Sequence, residues 1–265
     1  MNFLVVAALV PAVILMWYIW KKDKVEKEPT KVILKVVGAG GLTVISAIIL
    51  EFIGDFIAKS VIGMDETSIA YGLVFNFLVV AFSEELGKLV ALRLSTWKSG
   101  DFNYTYDAVV YAVAASLGFA AVENVLYVLM GGFGVAVVRA FTAVPGHAID
   151  GVFMGYYYGM ARQAWGRGNK GEEVKNMILA FIVPVILHGI YDFCLFEYAP
   201  DGMIVIFFIY LVLTFFLAVI RINKLSAMDT PILGTGVDFP DEMKNKAPEG
   251  IPNGAAPVNN GLPYP

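Results

Sequence analysis

Seven long apolar runs, each bounded by charges or turn residues, constrain this chain more than any other feature. They cover about residues 3–20, 32–53, 69–92, 106–130, 133–160, 174–196 and 203–221. Each has the roughly 20 residues that carry a helix across a hydrocarbon layer about 30 Å thick. A lipid-exposed backbone must satisfy its own N–H and C=O groups, so runs of this length predict helices. Composition agrees: 58% of the 265 residues are hydrophobic and 16% charged, against about 25% charged in an average soluble domain. A water-soluble globule is excluded, and the expected fold is an all-α, polytopic transmembrane helix bundle of about seven spans.

The basic residues orient the bundle. Lys21, Lys22, Lys24, Lys27, Lys31 and Lys35 follow the first span, Arg93 and Lys98 the third, Arg162, Arg167, Lys170 and Lys175 the fifth, and Arg221 and Lys224 the seventh. The alternate connections hold Lys59 among Asp55, Asp65 and Glu66, then the uncharged turn Gly131-Gly132-Phe133-Gly134, then Glu197 and Asp201. The positive-inside rule then places the N-terminus outside and the C-terminus in the cytoplasm. The first run has neither the preceding basic residues nor the cleavage site of a signal peptide, so it reads as a retained span. Trp17, Tyr18 and Trp20 sit at its inner end, where amphipathic rings suit the headgroup layer.

Two regions follow from composition. Residues 1–226 form the membrane-embedded domain. From Ala227 the chain turns to Pro, Gly and Asn with scattered charge, a composition that buries too little apolar area to offset chain entropy, so 227–265 reads as a disordered cytoplasmic tail. The net charge of −4 gives no basic footprint for nucleic acid. The single cysteine, Cys194, lies in an apolar run and reads as a small packing hydrophobe.

The informative residues are the polar ones inside the spans, where an ionisable group costs roughly 2.5–3.5 kcal/mol to insert and marks function by default. They are Glu84, Glu85 and Lys88 in span 3, Glu123 and Asn124 in span 4, His147 and Asp150 in span 5, and His188 and Asp192 in span 6. Both histidines of the chain fall near the middle of a span. Glu84 and Lys88 are four apart, as are His188 and Asp192, so each pair shares a helix face. Asp192 is thereby expected to fix one ring nitrogen of His188 and leave the other free for chemistry. Adjacent Glu84 and Glu85 diverge by about 100°, so one is expected to face the reacting centre and the other a structural partner. Gly151, Gly155 and Gly159 form overlapping G-x-x-x-G units that admit a neighbouring helix closely. Pro145 and Pro184 are expected to bend their spans beside the two histidines. Arg139 and Asn76 read as structural, Glu51 and Asp55 as solvated near the outer end of span 2, and Asp107 as an N-terminal helix residue.

Carboxylates and imidazoles without a cofactor motif suit general-base activation of water. The H-E-x-x-H of zinc proteases, the G-x-S-x-G of serine hydrolases and the G-x-G-D of aspartyl types are missing. The last span carries no lysine for a retinal Schiff base. The alternative to a hydrolase is a proton- or ion-coupled transporter using the same groups as a relay, although no internal repeat supports it.

As a set, these residues resemble a known family. Phe82-Ser83-Glu84-Glu85-Leu86-Gly87-Lys88 is similar to an E-E-x-x-K motif, Phe119-Ala120-Ala121-Val122-Glu123-Asn124 to F-x-x-x-E-N, His147 to Gly151 to a histidine motif, and His188 to Asp192 to H-x-x-x-D. In this order, in consecutive spans over residues 70–195, they resemble the PrsW family of intramembrane proteases, related to the CAAX prenyl protease/Abi superfamily. Lys88 stands where the CAAX branch has an arginine one position later, and Asp192 where it has asparagine, which favours the PrsW branch.

The resemblance implies a multi-pass protein of the cell membrane. It further implies site-1 cleavage of a membrane-tethered partner, as in members that cut an anti-sigma factor. Carried over, it makes Glu84 the general base on water with Glu85 in support. His147 and His188 become the oxyanion stabilisers, Asp192 the residue orienting His188, and Lys88, Glu123 and Asn124 the rest of the polar shell. No cofactor is required in the favoured, metal-free glutamate mechanism; two histidines and a glutamate could also hold zinc.

Overall fold

The computed structural model describes residues 3–233 and 235, and every long apolar run is helical in it. The helices are α1 (Phe3–Lys22), α2 (Thr30–Phe56), α3 (Ile69–Leu73), α4 (Phe82–Thr96), α5 (Asp107–Phe141), α6 (Ala143–Gly166), α7 (Lys170–Cys194) and α8 (Met203–Ala227). A π-helical turn, Ile57–Val61, extends α2, and a longer one, Val74–Ala81, joins α3 to α4. The expected span 3 is therefore continuous but not uniform. Its π-helical stretch ends just before Phe82-Ser83-Glu84, and such wide turns recur at functional sites. Polar caps begin the helices that leave loops: Ser68 accepts from the amide of Tyr71 at 3.1 Å and Asn169 from that of Glu172 at 3.1 Å, each satisfying an orphan N–H.

Six helical stretches among the described residues are long and apolar enough to cross a membrane, and the longest, Asp107–Gly166, has 60 residues. That stretch turns back on itself at Gly132, whose φ of 78° suits only a residue without a Cβ. A Cβ on Gly151 would lie 2.9 Å from Cα of Val113, and one on Gly155 2.6 Å from Cα of Val109. Residue numbers rise on α6 as they fall on α5, so the two pack antiparallel along the G-x-x-x-G stripe, and the described residues form seven membrane-length segments.

The first half of α5 is the hub. Every residue from Asp107 to Ala120 is buried, as expected of a helix apolar on all sides, and α1, α2, α4 and α6 pack around it. The outward faces are also apolar: Leu42, Phe52, Val138, Phe208 and Phe216 are all more than half exposed. In water such surface would drive aggregation; against acyl chains it is the complementary solvent.

Two expectations change. Pro145 lies in the first turn of α6, where its missing N–H is an orphan in any case, so it begins a helix instead of bending one. Of the two, Pro184 alone lies within the body of its helix, α7, one turn before His188. The first residues of the expected tail are also docked on the bundle. The amides of Thr105 and Ile232 donate to the carbonyls of Thr230 (3.0 Å) and Asn103 (2.7 Å), and the Ile232 side chain is buried. The buried Ile232 and these backbone bonds dock residues 228–233 on the loop before α5. The rest of the expected tail, 236–265, lies outside the described residues.

Candidate active site

Side chains of α2, α4, α5, α6, α7 and α8 wall one cavity of about 530 Å³, to which four of these helices, α4, α5, α6 and α7, bring Glu84, Glu123, His147, Asp150, His188 and Asp192. The expected divergence of Glu84 and Glu85 is realised: Glu84 lines the cavity, whereas Glu85 does not and is fully buried behind it. The Lys88 ammonium, also fully buried, sits at the centre of the cluster. It donates to Oε2 of Glu84 at 3.1 Å and to Oε1 of Glu85 at 2.7 Å, and lies 3.0 Å from Nδ1 of His147. Its remaining exposure is taken by the Phe119 ring, 4.4 Å from the ammonium.

The two imidazoles meet edge to face with centroids 5.4 Å apart. Because an ammonium can only donate, His147 must accept at Nδ1 and donate from Nε2, which lies 3.0 Å from Oε2 of Glu123. Glu123 is held in turn by Arg139 at 2.5 Å. His188 differs from expectation. Its Nε2 does pair with Asp192 at 3.1 Å, but its Nδ1 is not free, since Oε1 of Glu85 occupies it at 2.8 Å. Two carboxylates on opposite nitrogens suit a ring that donates from both. Oε2 of Glu84 lies 3.7 Å from Nε2 of the same ring, and Oδ2 of Asp150 lies 3.9 Å from Nδ1.

The structure thus gathers Glu84, Glu85, Lys88, Glu123, His147, Asp150, His188 and Asp192 into one network. Asn124 stands apart from the cavity, accepting from Nε of Arg139 at 2.8 Å and donating to the carbonyl of Ala8 at 2.7 Å, which ties α5 to α1. Arg139, read as structural, lines the cavity as well. So does Asn76, whose amide also donates to its own helix at Gly72. Glu51, expected near the outer end of span 2, is half-buried and lines the cavity as well. Its signal was in the spacing, because Val44, Ala47 and Glu51 fall at i, i+3 and i+7 on one face, and the first two pack on Phe119. Asp55 does lie outside, paired with Lys59 at 2.7 Å.

A metal is compatible with the donors. One ligand atom from each of Glu84, Glu85, His147 and His188 lies within 4.8 Å of the others, and Oε2 of Glu85 is buried with no protein donor. Two imidazoles and a carboxylate are also the donor set of a catalytic zinc. The Lys88 ammonium, however, already places one positive charge in that ring.

The family model for the PrsW family intramembrane metalloprotease matches residues 28–220. The chain is 32% identical over 220 residues to a Protease PrsW of Oceanobacillus iheyensis, covering 82% of this chain and 94% of that one. It is 33% identical over 196 residues to a Protease PrsW of Bacillus subtilis, covering 74% and 84%. A Protease PrsW of Clostridioides difficile is 28% identical over 192 residues, covering 71% and 77%. No solved structure matches. With the match spanning the helices that wall the cavity, the chain belongs to the PrsW family of intramembrane proteases.

Proposed function

We propose that this protease hydrolyses its peptide bond with Glu84 as general base on a water in the cavity. The observation that carries this is the asymmetry of the glutamate pair. Glu84 alone opens onto the cavity, while Glu85 is spent on Lys88 and His188 behind it. Glu84 takes a proton from water as the water oxygen attacks the scissile carbonyl carbon, and returns it to the amine as the C–N bond breaks. The imidazoles of His147 and His188 stand on the cavity wall with Glu123 and Asp192 at their Nε2 atoms. Their N–H groups donate to Glu123, Asp192 and Glu85 before the substrate arrives, and on this reading an N–H of the pair exchanges its carboxylate for the oxyanion as the carbonyl is attacked. If zinc binds, His147, His188 and Glu84 or Glu85 would hold it, and it would polarise the carbonyl and acidify the water.

The substrate we propose is a single-span protein of the cell membrane, cut near its outer face; an anti-sigma factor is the class that the family resemblance suggests. The test compares protein N-termini in membrane and secreted fractions of cells expressing the wild type or Glu84→Gln at equal levels. New N-termini seen only with the wild type, mapping to membrane-tethered proteins, are expected and would name the substrate. Matching profiles under envelope stress would overturn Glu84 as the base.

A further inference from the structure

A second acidic cluster lies at the other functional extreme of the bundle, where the α1–α2 connection, the loop before α5 and the segment after α8 meet. Asp23, Glu28 and Asp107 are 1%, 3% and 0% exposed, and one carboxylate oxygen from each lies within 4.8 Å of the others. Asp229 joins them, its Oδ1 taking the amide of Tyr106 at 2.8 Å and the hydroxyl of Thr105 at 3.0 Å. Oδ2 of Asp107 takes the amides of Asn103 and Tyr104 at 2.9 and 2.7 Å.

What remains is a set of buried oxygens that no protein donor reaches: both of Asp23, Oε2 of Glu28, Oδ1 of Asp107, Oδ2 of Asp229 and Oδ1 of Asn103. A buried acceptor without a partner costs about 1–3 kcal/mol, and more when charged. The nearest cation does not relieve them. Lys27 spends its ammonium on the backbone carbonyls of Trp20 (2.7 Å) and Asp23, and among the described residues no ion pair engages these four carboxylates. Glu26, exposed beside them, adds further negative charge and binds the Asn103 amide at 3.2 Å.

We propose that Asp23, Glu28, Asp107, Asp229 and the side-chain Oδ1 of Asn103 form a binding site for a hard divalent cation. The donors are all oxygen, four of them carboxylates, which selects calcium or magnesium over zinc or copper. The site is distinct from the protease cavity and shares no residue with it. It clips three connections that join α1, α2, α5 and α8, and so holds the end of the bundle from which the central helix starts.

The test uses the purified full-length protein in detergent, stripped with chelator and titrated separately with CaCl2 and MgCl2 while its Tm is followed. At a hundredfold excess over Kd the cation raises Tm by roughly 5–10 °C. The rise persists in Glu84→Gln and disappears in the Asp23→Asn/Glu28→Gln double variant, whose side chains keep their shape. Terbium, a luminescent calcium surrogate, is expected to emit on excitation of the protein's aromatic residues and to be displaced by CaCl2, again only with Asp23 and Glu28 intact. No rise in the wild type would mean that shared protons satisfy the cluster, and would overturn the site. A rise that survives the double variant, or that vanishes in Glu84→Gln, would place the cation elsewhere and equally overturn it.

Discussion

Oε1 of Glu85 lies 2.8 Å from Nδ1 of His188, joining α4 to α7 across 103 residues of sequence. The same oxygen accepts from Lys88 at 2.7 Å, so one buried carboxylate sets both the position of the imidazole and that of the ammonium facing Glu84. On the proposed mechanism, Glu85 acts through its neighbours.

Glu85→Gln should therefore fold and bind substrate but turn over slowly. Orienting partners of reactive groups are worth about 10–100-fold, so kcat is expected to fall by that factor with KM little changed, whereas Glu84→Gln leaves no measurable cleavage. Steady-state cleavage of a purified substrate by the two variants separates the roles. A dead Glu85→Gln beside an active Glu84→Gln would reverse them.

Lys88 donates to both glutamates and lies 3.0 Å from Nδ1 of His147. Replacing it with Met leaves two buried carboxylates facing each other, and breaking a buried ion pair from one side costs about 3–5 kcal/mol. A fall in Tm of roughly 10 °C is expected for Lys88→Met. Adding Glu85→Gln to it removes one uncompensated charge, so the double variant should recover part of that loss without recovering activity. A double variant that melts lower than Lys88→Met would refute the assignment of Lys88 as the counter-charge.

Close approach of α5 and α6 brings Glu123 within reach of His147. At Gly155 an added Cβ would meet Cα of Val109 at 2.6 Å and the Ala108 carbonyl at 2.7 Å, both backbone atoms, so the helices must separate. Gly155→Ala is expected to lose about 1–3 kcal/mol and to slow cleavage by loosening the Glu123–His147 contact. Gly38→Ala, where nothing lies within 4 Å, should match the wild type in both melting and cleavage assays. Equal behaviour of the two variants would show that the stripe does not set the helix spacing.

Much of this arrangement was legible in sequence because the membrane makes each polar residue in a span conspicuous. His147, His188, Glu84 and Glu123 stand out from apolar neighbours, and the i, i+4 spacing of His188 and Asp192 gives their contact directly. What was not legible depends on which helices meet. Nothing local to His188 says that Glu85 occupies its second nitrogen, and Glu51 looked solvated because its position along α2 was judged without the packing of Val44 and Ala47 on Phe119. The docking of residues 228–233 was missed for a related reason. A Pro/Gly-rich segment has no pattern of its own, and its order comes from contacts with the loop at 103–106 and from burial of Ile232.

The charge of Lys88 also bears on metal dependence. An ammonium at 2.7–3.1 Å from both glutamates already supplies the positive charge that carboxylates crowded in a low-dielectric site require. A divalent ion among the same donors would have to bind beside it against Coulomb repulsion. The expected outcome is that the purified wild type carries no stoichiometric zinc and keeps cleaving substrate after exhaustive chelation, with Lys88→Met showing the higher zinc affinity of the two. Elemental analysis and cleavage before and after chelation check this. Zinc at one per chain in the wild type, lost together with activity in His147→Ala, would establish the metal mechanism and leave Lys88 as a partner of Glu85 alone.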